Sequence, residues 1–135
     1  MIFYISSRLS NIDQVRHVTS LLKENGWTHT YDWTNFDLSA EDNPDRLRMI
    51  GQRECDGIKA ADVVIVLTPQ GRGTHIELGM AIALGKSVYI YHTDDFYFTC
   101  DDHTCPFYWL PQVKQLTGRL DTAIQVIMRE SASCK

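Results

Sequence analysis

Apolar residues in this chain alternate between short continuous runs and longer stretches with a helical repeat, a pattern that predicts βαβ units around a parallel sheet. The runs occupy residues 2–5, 27–31, 62–67 and 87–91, the second weaker than the others. Those at 62–67 and 87–91 are apolar enough to be buried on both faces. A short fifth strand is expected over residues 113–116. Between the first two runs, Ile12, Val15, Val18, Leu21 and Leu22 recur at helical spacing, opened by Asn11-x-x-Gln14 as a capping box and closed by Asn25-Gly26. A polar segment, 34–43, precedes Pro44, which suits the first turn of a second helix running to about Ala60. A third helix is expected from about Thr74 to Leu84, closed by Gly85-Lys86. The last runs from about Gly118 to Glu130, with Leu120, Ala123, Ile124, Ile127 and Met128 inward.

The second helix carries an anomaly. Leu47, Ile50, Glu54, Ile58 and Ala61 fall on one face at steps of three or four, so Glu54 sits where an apolar residue is expected. Two readings stand side by side: a long side chain reaching solvent at the helix edge, or a carboxylate with a functional role. Residues 93–111 hold Phe96, Tyr97, Phe98, Phe107, Tyr108 and Trp109 without clear periodicity, as a lid, a partner contact or core filler.

Composition narrows the function classes. A chain of 135 residues with 44% hydrophobic content suits one domain, 1–135, with an ordinary core. The net charge of −4 arises from interspersed acids and bases, with no basic tract to neutralise a phosphate backbone, so a nucleic acid polymer is a poor partner. Met1 leads directly into an apolar run with neither a charged leader nor the roughly 20 apolar residues of a membrane span. A cytoplasmic protein is the expectation. Cys55, Cys100, Cys105 and Cys134 are too few and too unevenly placed for a disulfide scaffold, and reduced thiols are expected. His92, Cys100, His103 and Cys105 supply zinc-type donors at short spacing but no Cys-x-x-Cys knuckle; the alternative is a mobile or partner-facing loop.

In an open parallel sheet, ligands bind beyond the carboxyl ends of the strands, where the strand order reverses. Residues 6–10, Asp32-Trp33, residues 68–74 and residues 92–95 would gather there. Ser6, Ser7 and Arg8 could hold a phosphate through hydroxyls, backbone N–H groups and a guanidinium; the plain alternative is a capped turn with Arg8 in solvent. Gly71-Arg72-Gly73 allows close backbone approach, and the following turn, from Thr74, presents free N–H groups. The string fits neither the Walker phosphate loop nor the dinucleotide fingerprint. Thr74-x-x-Glu77 by itself reads as a capping box.

The longer string Ala61-Asp62-Val63-Val64-Ile65-Val66-Leu67, then Gly71-x-Gly73-x-x-x-Glu77-Leu78-Gly79-x-Ala81-x-Ala83-x-Gly85-Lys86-x-Val88, resembles the signature of the nucleoside 2-deoxyribosyltransferase family, whose superfamily includes deoxynucleoside 5′-monophosphate N-glycosidases. The opening Phe3-Tyr4-Ile5-Ser6-Ser7-Arg8 is similar to that family's first strand and ligand loop. The resemblance implies a single Rossmann-like, flavodoxin-like α/β domain with a mainly parallel sheet of about five strands, forming a homodimer or higher homo-oligomer. It implies no cofactor or metal, and a nucleoside or nucleotide as the small-molecule partner. Glu77 takes the place of the nucleophile at the start of its helix, ionised at neutral pH and favoured by the positive helix end. Glu54 falls on the family's Asp that orients or protonates the leaving base, and Tyr4 on an aromatic that positions the nucleophile. Two departures stand out: Gly71 replaces an Asp or Ser, and Glu54 is one methylene longer than the usual Asp. Asp32 and Trp33 have no assigned counterpart, though ribose bonding and base stacking suit their place; Trp33 equally suits a core or dimer aromatic. Two rival readings remain: NAD glycohydrolysis as in Toll/interleukin-receptor-like domains, and a catalytically silent nucleotide sensor in which Glu77 only caps its helix.

Overall fold

The computed structural model describes residues 1–35 and 40–133; Cys134 and residues 36–39 of the polar segment lie outside the described residues. Five strands alternate with four helices: β1 (Ile2–Ser6), α1 (Ile12–Glu24), β2 (Thr28–His29), α2 (Pro44–Ala60), β3 (Val63–Leu67), α3 (Arg72–Ala83), β4 (Ser87–Tyr91), β5 (Val113–Leu116) and α4 (Leu120–Ser133). Single 3-10 turns occupy Leu9–Asn11, Trp33–Asn35 and Pro106–Trp109. All strand pairs are parallel and the order is β2-β1-β3-β4-β5, the flavodoxin-like winding. The weak second run shortens to two residues at the sheet edge.

Central strands are central because they are apolar on both faces. All five residues of β3 are buried, as are Phe3, Tyr4, Ile5 and Ser6 of β1. Right-handed crossovers place α1 and α4 on one face and α2 and α3 on the other, and the helices of each pair touch. Inward positions of α1 (Val15, Val18, Leu22) and α4 (Ala123, Ile124, Ile127) close the first layer. Gly26 and Gly85 take positive φ, 83° and 71°, and end α1 and α3 where an L side chain would be strained.

Two helix starts differ from expectation. Asn11 makes no cap bond to α1; its amide instead donates to Ser7 Oγ (3.0 Å), Gln14 Oε1 (3.0 Å) and the Thr68 carbonyl (3.1 Å). The Asn11-x-x-Gln14 pattern therefore ties the loop after β1 to the loop after β3. Helix α3 begins at Arg72, because the Gly71 N–H is already met by Thr74 Oγ1 at 3.0 Å. Thr74 thus lies inside the helix, and the Thr74/Glu77 capping box does not form. No helix among the described residues is long and apolar enough to cross a membrane.

Candidate active site

The chain leaves β1 toward β2 on one side and returns to β3 on the other, so the loops after β1 and β3 diverge and open a cleft. A cavity of about 650 Å³ occupies it, a volume that suits a nucleotide-sized ligand. Ser7, Arg8, Trp33, Glu54, Gly71, Gly73, Thr74 and Glu77 all line it.

Glu77 forms the floor. It lies one and a half turns into α3, beyond the first turn where the helix dipole acts most strongly, and is buried at 9% exposure. The Tyr4 hydroxyl donates to its Oε2, and the Ser6 hydroxyl donates to Oε1 at 3.1 Å. Strand alternation explains the pair: residues 4 and 6 of β1 point to the same face, under α3. Burial pushes the Glu77 carboxyl up to about 7, the bonds from Tyr4 and Ser6 pull it back down, and the nearby Glu54 charge raises it. The expectation of a fully ionised carboxylate at neutral pH is thereby corrected: near pH 7 Glu77 is divided between its two forms. Burial, followed by the Glu77 charge, holds the Tyr4 phenol protonated far above its ordinary range.

Glu54 stands on the α2 wall. Its helix stripe is inward only at its end, where Ile58 and Ala61 enter the core; Leu47 is 54% exposed, and with Ile50 and Glu54 it lines the cavity. The anomalous stripe is thus a cavity wall. Burial raises the Glu54 pKa, and its carboxyl makes no hydrogen bond among the described residues.

The remaining candidates divide. Ser6 does not line the cavity; it serves the Glu77 carboxylate instead. The Ser7 hydroxyl donates to the Leu67 carbonyl at 2.7 Å and so fastens β1 to β3. Arg8 is exposed at the mouth, and a Cβ added at Gly71 would meet its Nε at 3.6 Å, an ordinary contact. Trp33 is nearly buried and donates from its ring N–H to the Ile5 carbonyl at 2.8 Å, leaving its face on the cavity. Asp32 is not brought to the cavity: its carboxylate accepts from the Thr34 N–H at 2.9 Å and from the Thr34 hydroxyl, holding the turn that carries Trp33. Sequence reasoning missed Tyr31, Arg46, Leu47, Ile50 and Arg72 as lining residues. Leu47 and Ile50 shared the Glu54 stripe, and Arg72 sits inside the Gly71-x-Gly73 string, so the signal was there to read.

The zinc arrangement does not form. His92 Nδ1 pairs with Thr68 Oγ1 at 2.5 Å and its Nε2 faces Asp94 at 3.4 Å, while His103 turns to Asp101. Among the described residues no cluster of three His, Cys, Asp or Glu side chains could hold a metal.

Two raised carboxyls share one cleft at the switch point of a flavodoxin-like sheet, the arrangement of a candidate small-molecule site. The sequence matches the model of the nucleoside 2-deoxyribosyltransferase family over residues 4–118, and the chain belongs to that family. It is accordingly an N-glycosidase or deoxyribosyltransferase-like enzyme, acting on N-glycosidic bonds. No curated protein matches the sequence. The chain is similar in fold to the CMP N-glycosidase of Clostridium botulinum, with TM-score 0.63 and 19% identity over 95% of this chain and 99% of that one. A 2-deoxyribosyltransferase from the psychrotolerant bacterium Bacillus psychrosaccharolyticus superimposes with TM-score 0.55 and 23% identity over 67% and 72% of the two chains. A conserved protein from Enterococcus faecalis gives 0.61 and 12% over 96% and 98%. At these identities the likeness is one of fold.

Proposed function

We propose that the enzyme cleaves the N-glycosidic bond of a nucleoside 5′-monophosphate or nucleoside through a covalent glycosyl-Glu77 intermediate. The observation that carries this reading is the unequal bonding of the two carboxyls. Glu77 accepts from two fixed hydroxyls, an arrangement that suits its charged form, whereas Glu54 accepts from none and is free to hold a proton. In the first step a Glu77 oxygen bonds to the anomeric carbon as the C–N bond breaks, and Glu54 gives its proton to the leaving nitrogen. Water or a second base then attacks the anomeric carbon, releasing Glu77 and returning a proton to Glu54. Water gives hydrolysis and a base gives transfer.

Arg8 and Arg72 favour the monophosphate. Both guanidiniums line the mouth and make no side-chain hydrogen bond or ion pair among the described residues, so a 5′-phosphate would meet two unengaged donors. Trp33 offers a face for the base. A homodimer fits the outer side of α3, where Ile76 is 65% exposed and Leu84, just past the helix end, 46%. A cytoplasmic site of action suits a nucleotide substrate and the free thiols of Cys55, Cys100 and Cys105.

The test is to incubate the protein and Glu77→Gln with nucleosides, nucleoside monophosphates and NAD, follow free base by chromatography, and trap the intermediate for mass spectrometry. Base release from a monophosphate, a glycosyl adduct on the Glu77 peptide, and a loss of roughly 1,000-fold or more in the variant support the proposal. Release from NAD alone would replace the substrate class. Binding without turnover would leave a nucleotide sensor.

A further inference from the structure

Behind the cavity wall lies a closed chain of hydrogen bonds that the catalytic scheme does not use. Tyr108, from the 3-10 turn Pro106–Trp109, is only 2% exposed, and its hydroxyl meets His75 Nε2 at 2.7 Å and the Gln70 side-chain amide at 2.9 Å. His75 reaches back with Nδ1 to the Gly71 carbonyl at 3.0 Å. Gln115 fixes the Tyr108 carbonyl from β5 at 3.0 Å. Donor and acceptor types leave one solution for a neutral ring. The Gly71 carbonyl only accepts, so Nδ1 carries the hydrogen; Nε2 then accepts from the Tyr108 hydroxyl, whose oxygen accepts from Gln70. Both ends of the chain, Gln70 and Gly71, belong to the turn that leads into the Gly71, Arg72, Gly73 and Thr74 wall of the cavity.

We propose that His75 and Tyr108 are positioning residues: a clasp from the 93–111 segment that sets the Gly71–Thr74 wall, and hence substrate fit, without touching substrate. This rests on the cavity being the substrate site. Glu77 is held separately, by Tyr4 and Ser6 from β1, so breaking the clasp loosens the wall and leaves the nucleophile in place.

The experiment measures KM and kcat for Tyr108→Phe, His75→Ala and the double variant, beside their melting curves. The expected result is a rise in KM of roughly tenfold in each single variant, kcat within about twofold, and no further rise in the double variant. His75→Gln, which can still meet Tyr108, and His75→Asn, which can still meet Gly71, each recover part of the loss. Unchanged KM in folded single variants, or effects that multiply in the double, would overturn the clasp. Nitrogen NMR of ligand-free protein tests it even where no substrate turns over. His75 is expected with hydrogen on Nδ1, and Tyr108→Phe is expected to shift the Gly71 and Gly73 amide resonances. Hydrogen on Nε2 in the wild type would sink the assignment.

Discussion

The two walls of the cleft are built on different terms. On the β1/α3 side, Tyr4, Ser6 and Glu77 are all buried, and every carboxylate oxygen has a fixed donor. On the α2 side, Leu47 is more than half exposed, Ile50 and Glu54 are half-buried, and the Glu54 carboxyl has no partner among the described residues. In the proposed mechanism the difference separates two demands on one reaction. A nucleophile must sit within a few tenths of an ångström of its target, which dense packing and two hydrogen bonds supply. A proton donor must exchange its proton and reach bases of varied shape, which an unbonded side chain on a half-open helix allows.

The comparison breaks first at Glu54. If the α2 wall supplies only the proton, Glu54→Gln slows release of poor leaving bases by roughly 100-fold, because proton transfer of this kind contributes 10²–10⁴. Substrates whose leaving group needs no proton are expected to be turned over almost normally. Steady-state rates for a series of leaving groups check this, and an equal loss across the series would show that Glu54 positions rather than protonates.

A smaller effect belongs to Tyr4. Its hydroxyl lowers the Glu77 pKa, so Tyr4→Phe lets burial act less opposed and moves the Glu77 titration above its present value of about 7. In the proposed mechanism only the ionised carboxylate attacks, so the acid limb of kcat/KM shifts to higher pH. At pH 7 the rate is expected to fall by roughly tenfold, with part of the loss recovered at pH 8.5. A pH profile separates this from simple misplacement, which would lower the rate equally at every pH.

How much of this was legible in the chain follows from the kind of signal each residue gives. The alternation of strands and helices and the parallel sheet came from run length and period, and the loops that gather at the cleft from the switch-point rule, signals that are collective and robust. Glu54 was legible because a charge on an apolar stripe is a local contradiction. The stripe alone could not name what it faces, since a stripe facing a cavity and one facing a core have the same period. Ser6 was placed with the phosphate group, yet it bonds Glu77, 71 positions later: a contact across the sheet leaves no trace in local spacing. The start of α3 was misplaced by two residues because Thr74 caps from inside the helix. That slip supported the view of Glu77 as a cap, which its bonds to β1 replace. The His75–Tyr108 pairing joins residues 33 apart and carried no sequence signal at all.

The smallest effect is on stability, and its sign distinguishes a catalytic carboxyl from a structural one. Glu77 titrates near 7 when folded, against an ordinary 4.5. Below pH 4.5 the carboxyl is protonated in both states, so its contribution to folding is at its most favourable. Between 4.5 and 7 the unfolded chain has lost a proton that the folded protein keeps, so stability falls as pH rises, and above 7 the full penalty is present. Glu77→Gln keeps the shape but does not titrate. Its melting temperature relative to the wild type is therefore expected to climb across that window and level off above pH 7, at a gain on the order of 1–3 kcal/mol. Glu54→Gln, half-exposed, is expected to gain less. A cap or a core salt bridge would behave in the opposite way, with loss of the charge costing stability. A Gln variant that is inactive and more stable at pH 8 than the wild type would thus mark Glu77 as a group held buried at a cost to the fold.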